Sequence, residues 1–233
     1  ASFFQLSDRA DVRAVVIGSS GAVGGALYER LKVNGVAVTG FSRRGEPSLD
    51  ITQEDTVQAA AVHAGNDLDL VIVATGFLHD GTFSPERSLR HLSSEHLLAS
   101  MARNAVGPAL VMKHFLPRLA RGKRSVLAVL SARVGSIGDN HLGGWYSYRA
   151  AKAALNQLVR TAAVELARTH PRSACIALHP GTVDTPLSAP FHRNPHNLQN
   201  PQDAARKLLA VLDTVGPEQS GAFLDYAGAT IPY

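Results

Sequence analysis

Short apolar runs and amphipathic stretches alternate along this chain. Residues 12–17, 36–41, 68–74, 125–130, 172–178 and 221–226 are apolar runs bounded by turn residues, the pattern of strands buried on both faces. A further short strand is predicted at 48–51. Between these runs the apolar positions recur at helical spacing: from Ala26 onward, over 53–63 with Thr52 as N-cap, over 94–116 up to Pro117, over 146–168, and over 201–212. Strands and helices joined by short connections predict an α/β fold, a single-domain doubly wound parallel sheet over 1–233 with right-handed crossovers. One helix carries a conflict. Asn104, Gly107 and Pro108 fall in the middle of 94–116, and such breaks mark kinked or functional positions.

Composition narrows the function classes. The chain has 233 residues, 45% hydrophobic and 18% charged, with a net charge of +4 and one cysteine. The mild charge and the absence of long basic runs argue against nucleic acid; Arg121-Gly-Lys-Arg124 reads as a solvated turn. No apolar run approaches the roughly 20 residues of a membrane span, and residues 1–13 lack a signal-peptide layout, so a cytoplasmic protein is expected. Cys175 lies in an apolar run and is expected to be a buried thiol. His192 and His196 are separated by Asn194 and Pro195, which does not suit a metal-binding helix, and no metal is expected. His91, His96 and His114 read as ordinary helix-surface or interface residues.

The candidate chemistry sits at the ends of the predicted strands. Gly18-Ser-Ser-Gly21-Ala-Val-Gly24-Gly25 lies between the first strand and the first helix. Glycines there allow a tight turn and a close approach to a pyrophosphate at the positive helix N-terminus. The second strand ends in Ser42-Arg43-Arg44, with no acid to meet a ribose 2′-hydroxyl, and two arginines there suit a 2′-phosphate. That favours NADP(H) over NAD(H). The 68–74 strand ends in Ala74-Thr75-Gly76, where a cofactor would pass close to the backbone. Tyr148 and Lys152, four apart on one helical face, form a candidate acid whose pKa the ammonium would lower. Tyr28 and Lys32 repeat this spacing but read as solvated helix surface.

With these elements placed, the chain resembles the short-chain dehydrogenase/reductase family over nearly its full length. Five motifs carry the resemblance: Gly18 to Gly24, Thr75-Gly76, Asn104-Ala-Val-Gly107, Tyr148 to Lys152, and Pro180-Gly181-Thr182-Val183-Asp184-Thr185. Arg133 to Asn140, Gly143 to Arg149 and Gly221 to Gly228 look most like the C-factor and sniffer-type carbonyl reductase branch. The resemblance implies a Rossmann fold and reversible reduction of a ketone or aldehyde by NADPH. It implies Tyr148 as proton donor, Lys152 as its pKa-lowering partner, and Asn104 as holder of a relay water. Gly18, Ser20, Gly21, Val23 and Gly24 would form the cofactor loop, Ser42, Arg43 and Arg44 the phosphate site, and Asp50 with Ile51 would lie near the adenine. Ala74, Thr75, Gly76, Pro180, Gly181, Val183 and Thr185 would flank the nicotinamide half. The family's active serine falls on Ala132, which leaves Ser131, or else Ser136, to orient the substrate oxygen. The loop 186–201 would line a small-molecule pocket, and its sequence shows neither strong charge nor a large apolar lid. Family precedent implies a homodimer or homotetramer through the helices at 94–116 and 146–168. The C-factor likeness and Ala132 also support an alternative, a weakly catalytic or non-catalytic dinucleotide-binding signalling protein.

Overall fold

The computed structural model describes residues 11–191 and 198–233; His192 and His196 lie outside the described residues. Six parallel strands form one sheet in the order β2-β1-β3-β4-β5-β6. They are β1 Arg13–Ile17, β2 Ala37–Phe41, β3 Leu70–Val73, β4 Ser125–Leu130, β5 Ser173–His179 and β6 Phe223–Asp225. The helices are α1 Ala22–Val33, α2 Glu54–Ala64, α3 Ser94–Met101, α4 Gly107–Phe115, α5 Tyr146–Thr169 and α6 Pro201–Thr214. Successive strand residues point to opposite faces. Val15, Ile17, Val71, Val73, Leu127 and Val129 pack with residues of α2, α4 and α5. Ala14, Val16, Leu70, Ile72, Val126 and Ala128 pack with α1 and α6. Both faces are covered, which is why the strands read as unbroken apolar runs. The order reverses between β1 and β3, the place where open sheets of this kind form a crevice beyond the carboxyl ends of the strands.

Two expectations are corrected. Residues 48–51 form no strand, because their polar groups are taken locally. The Leu49 amide donates to the Ser42 carbonyl at 3.0 Å, the Asp50 amide to the Thr56 hydroxyl at 3.0 Å, and the Asp50 carboxylate accepts from the Thr52 amide at 2.9 Å. Thr52 is therefore not the N-cap of α2; its hydroxyl donates to Asp50 at 2.7 Å, and Gln53 precedes the helix without a side-chain cap.

The 94–116 helix is two helices joined by a π-turn, Ala102–Val106. Pro108 has no amide to give to the carbonyl of Asn104 four residues back. The Gly107 amide instead reaches the Ala102 carbonyl, five residues back. Gly107 also passes hard against Ile51, whose Cβ would lie 2.9 Å from a Cβ added there. Among the described residues, no helix is long and apolar enough to cross a membrane, and no group of three His, Cys, Asp or Glu is placed to hold a metal ion.

The connection from β1 to α1 depends on Gly24, which is buried in the first turn of α1. A Cβ there would sit 2.8 Å from the Gly18 carbonyl carbon, a backbone atom that cannot turn aside. Gly24→Ala should cost about 1–3 kcal/mol, read as a lowered urea midpoint with unchanged slope. An unchanged midpoint would contradict this packing.

Candidate active site

The candidate residues fall into groups at the carboxyl end of the sheet, one following β1, β2 and β3, one following β5 and one on α5. In the first, Gly18 takes φ +88°, and its amide donates to the Phe41 carbonyl at 2.8 Å. A Cβ on Gly18 would lie 2.8 Å from the Ala74 carbonyl oxygen, so the turn threads between the ends of β2 and β3. Gly21 precedes α1 without a side-chain cap, and no acid lies in the first turn, so the positive end of the helix is left for an anion. Ser20 is exposed and Val23 half-buried beside it. At the end of β3, the buried Thr75 hydroxyl oxygen has no hydrogen-bond partner, and buried polar atoms rarely stay unpaired. A glycine cradle, an uncapped helix end and an orphan hydroxyl fit a dinucleotide. Arg43 and Arg44 follow β2 and are exposed, with Ser42 half-buried. The Thr52 amide and hydroxyl hold the Asp50 carboxyl below its usual range, and Ile51 is wedged against Gly107. Gly76 is exposed, and a Cβ there would be 3.7 Å from the Leu187 side chain.

The second group begins at His179-Pro180, at the end of β5. Gly181 has φ +79°, and a Cβ there would meet the Tyr226 ring at 2.8 Å. Val183 is buried, and the Thr185 hydroxyl lies 3.2 Å from that of Ser188. His179, at the end of β5, was not singled out by sequence reasoning. Its Nδ1 is buried without a partner. Burial, reinforced by Arg133 and Lys152 and opposed by Asp225, lowers its pKa to about 4, so its ring is neutral at pH 7. A histidine ending an apolar strand is the signal that was available.

The third group is on α5, with Tyr148 and Lys152 on one face. The Lys152 ammonium is buried and donates to the Leu130 carbonyl at 2.9 Å; burial lowers its pKa to about 8. It stands 5.8 Å from the centre of the Tyr148 ring. Burial raises the pKa of the Tyr148 phenol above its ordinary value. This reverses the expectation of a lowered value. The ammonium is committed to the end of β4, and the apolar surroundings disfavour both charged forms. Gly135 makes the close approach possible, since a Cβ there would lie 2.7 Å from that of Lys152. Tyr28 and Lys32, at the same spacing, show no such contact: Lys32 is exposed, and Tyr28 packs on the α1 and α6 side of the sheet.

The remaining candidates are buried and committed. The Asn104 side chain accepts from the Phe77 amide at 2.9 Å and donates to the Phe77 carbonyl at 2.7 Å, tying the π-turn to the segment after β3. The Ser131 hydroxyl donates to Asn156 Oδ1 at 2.7 Å. It is thus turned toward α5, one turn beyond Lys152. The Ser136 hydroxyl accepts from the Asp139 amide at 3.1 Å. Ala132, extended and half-buried, lies two residues beyond the end of β4.

Sequence reasoning also missed what holds the start of α5. Glu86 is buried, and its carboxylate accepts from the Ser147 amide at 3.2 Å, from the Ser147 hydroxyl and from His96 Nδ1 at 3.1 Å. Of the two readings of His96, helix surface or interface, the second holds: it is a buried residue of α3 packed against Glu86 and the Phe83 ring. The helix has no side-chain cap of its own and no acid in its first turn, so Glu86 supplies both from 61 residues away. The Glu86 carbonyl accepts from the Trp145 amide at 2.6 Å, holding Trp145 at φ 53° and ψ 41°. That left-handed conformation costs a bulky residue about 1–2 kcal/mol.

Comparisons with known proteins bear on the family and the fold. The family model described as enoyl-(acyl carrier protein) reductase matches residues 33–214. The chain is 39% identical over 140 residues to the C-signal of Myxococcus xanthus, covering 58% of this chain and 80% of that protein. The crystal structure of NADPH-bound carbonyl reductase from chicken fatty liver superposes with a TM-score of 0.82 at 23% identity, covering 95% of this chain and 99% of that one. The carbonyl reductase Sniffer of D. melanogaster superposes with a TM-score of 0.77 at 18% identity, covering 95% and 100%. The chain belongs to the short-chain dehydrogenase/reductase family, and the fold is the one these structures share.

The buried ammonium has a consequence for stability. Lys152 loses its proton near pH 8 when folded and near 10.5 when unfolded. Between those values the unfolded chain binds more protons, so this group's contribution to stability rises with pH. Lys152→Met removes it. From pH 8 to 10 the difference in unfolding free energy between wild type and Lys152→Met should move in wild type's favour by on the order of 2 kcal/mol. Taking the difference cancels the opposite trends of Tyr148 and Cys175, both raised by burial. A difference that stays flat would contradict the buried cation.

Proposed function

We propose that this short-chain dehydrogenase/reductase is an NADPH-dependent reductase of a ketone or aldehyde that also runs in reverse on the alcohol. One observation carries the reading: the glycine turn with its orphan Thr75 hydroxyl lies at the carboxyl ends of β1 and β3, the switch point of the sheet, and Lys152 beside Tyr148 is bonded to Leu130 at the carboxyl end of β4, the strand next to β3. The bound NADPH of the chicken carbonyl reductase supports the choice of cofactor.

The chain's own residues divide the work. Gly18, Ser20, Gly21, Val23 and Gly24 receive the pyrophosphate at the open end of α1. Ser42, Arg43 and Arg44 hold the 2′-phosphate, with Asp50 and Ile51 beside the adenine. Ala74, Thr75, Gly76, Pro180, Gly181, Val183 and Thr185 flank the nicotinamide half. When bound, the dihydronicotinamide supplies the hydride that the carbonyl carbon takes up. Tyr148 gives its phenolic proton to the carbonyl oxygen, completing the alcohol; a phenol kept protonated by burial is ready to act as an acid. Lys152, with a pKa of about 8, returns a proton to Tyr148. The Asn104 carbonyl, denied its usual helical donor by Pro108, holds the water that resupplies Lys152. Ser131 cannot donate to the substrate without releasing Asn156. Its role is to position α5 through that bond, and Tyr148 alone donates to the substrate oxygen.

A second reading is a weakly catalytic dinucleotide-binding signalling protein. Two observations favour it: Ala132 supplies no hydroxyl, and the chain is similar to the Myxococcus C-signal. Tyr148→Phe separates the two. It should lower kcat by about 100- to 10,000-fold while leaving NADPH affinity within about twofold, in steady-state assays and equilibrium binding. Full turnover in that variant would exclude Tyr148 as the acid. Replacing Arg43 and Arg44 together by alanine should weaken NADPH by about 10- to 100-fold, the scale of lost charge-assisted bonds. NADH should change little. Equal losses for both dinucleotides would place the 2′-phosphate elsewhere.

A further inference from the structure

We propose that Trp145 selects the substrate, and that the substrate class is a flat aromatic carbonyl compound without a fixed charge; this rests on the reductase reading above. Gly143, Gly144 and Trp145 take φ of 64°, 66° and 53° in succession. Two of these left-handed positions carry glycine, which adopts them freely. The third carries the bulkiest side chain in the protein. Strain retained at a residue points to a use for it.

The loop is fastened so that the conformation persists. The Trp145 amide donates to the Glu86 carbonyl at 2.6 Å. Arg149 donates to the carbonyls of Gly144 at 2.9 Å, Gly143 at 3.2 Å and Val134 at 3.3 Å. The result is the placement of the indole. Its ring lies edge-to-face with Tyr148, centroids 6.2 Å apart at 66°. It lies likewise against Phe191, 5.4 Å away at 71°. Phe191 in turn meets His79, 5.3 Å away at 69°. His79 Nε2 donates to the carbonyls of Pro186 and Leu187 at 3.2 and 3.1 Å, which fixes that ring.

Four rings from three distant parts of the chain therefore run in file away from the phenol that donates the proton. Edge-to-face rings offer alternating π faces and edges, the surface on which a planar π system packs best. Among the described residues, the ammonium of Lys152 beside Tyr148 is bonded to Leu130, Arg149 is taken up by the carbonyls of Gly143, Gly144 and Val134, and Trp145, Phe191 and His79 add no carboxylate, ammonium or guanidinium of their own. A substrate carboxylate or phosphate would be desolvated there without a partner. A flat aromatic carbonyl lays its ring on the file and its oxygen at Tyr148.

Acetophenone and cyclohexyl methyl ketone, alike in size but not in π character, test this with NADPH as reductant. In Trp145→Ala the ratio of kcat/KM for acetophenone over cyclohexyl methyl ketone should fall by at least about fivefold, the scale of one lost aromatic pair. In Trp145→Phe it should stay within about twofold of wild type, and unfolding midpoints check that both variants fold. Turnover of both ketones with a ratio unmoved by Trp145→Ala would overturn the inference and leave the reductase reading standing. A second readout needs no turnover. Trp145 is the single tryptophan, so acetophenone should quench its emission saturably, and cyclohexyl methyl ketone should not. Saturable quenching with neither ketone reduced would overturn the reductase reading and keep the aromatic site. Absence of both would overturn the inference.

Discussion

The contact on which the site depends is the buried ammonium of Lys152 against the carbonyl of Leu130, at 2.9 Å. A charge taken out of water must be repaid by a hydrogen bond of good geometry, and the last carbonyl of β4 offers one. The contact pins α5 to the carboxyl end of the sheet. It requires Gly135 beside it, since any side chain there would push the helix away. One turn further along, Asn156 accepts from Ser131 at 2.7 Å. At the helix start, Glu86 takes the Ser147 amide. These three polar tethers, with the bonds from Arg149 to the loop before the helix, locate α5 on the sheet, and Tyr148 is placed as a consequence.

The same burial sets the chemistry. Lys152 is lowered to about 8 and the Tyr148 phenol is raised, so the environment favours the uncharged form of both. A neutral phenol is the state a proton donor needs. The crevice around the pair keeps two buried atoms without partners, the Thr75 hydroxyl and His179 Nδ1, at the ends of β3 and β5. Orphan polar atoms cost stability, and their place at the mouth of the sheet is where a polar ligand would satisfy them.

Much of this was legible in the sequence, for physical reasons. Strand and helix periodicities are local, so six of the seven predicted strands form and the glycine turn lies where the pattern puts it. The Asn104, Gly107 and Pro108 conflict was visible, because a missing amide is a property of the sequence. Its resolution as a π-turn was not visible, since that depends on Ile51 packing against Gly107. The strand expected at 48–51 failed because Asp50, Thr52 and Thr56 offered nearer hydrogen bonds. The direction of the Tyr148 shift was misread because spacing along a helix cannot reveal where an ammonium is aimed. Glu86 and Ser147 are 61 residues apart and His79 and Pro186 are 107. No local pattern carries such pairings, and the aromatic file through Phe191 was equally hidden in a loop that showed no apolar lid.

The central claim is that the glycine cradle and the arginine pair hold NADPH beside Tyr148. Energy transfer from Trp145 to the reduced nicotinamide measures this in one titration, since the donor ring stands 6.2 Å from that of Tyr148. The account predicts saturable transfer with NADPH, and an NADH affinity at least about tenfold weaker, equivalent to about 1.4 kcal/mol. Binding of neither dinucleotide would contradict it.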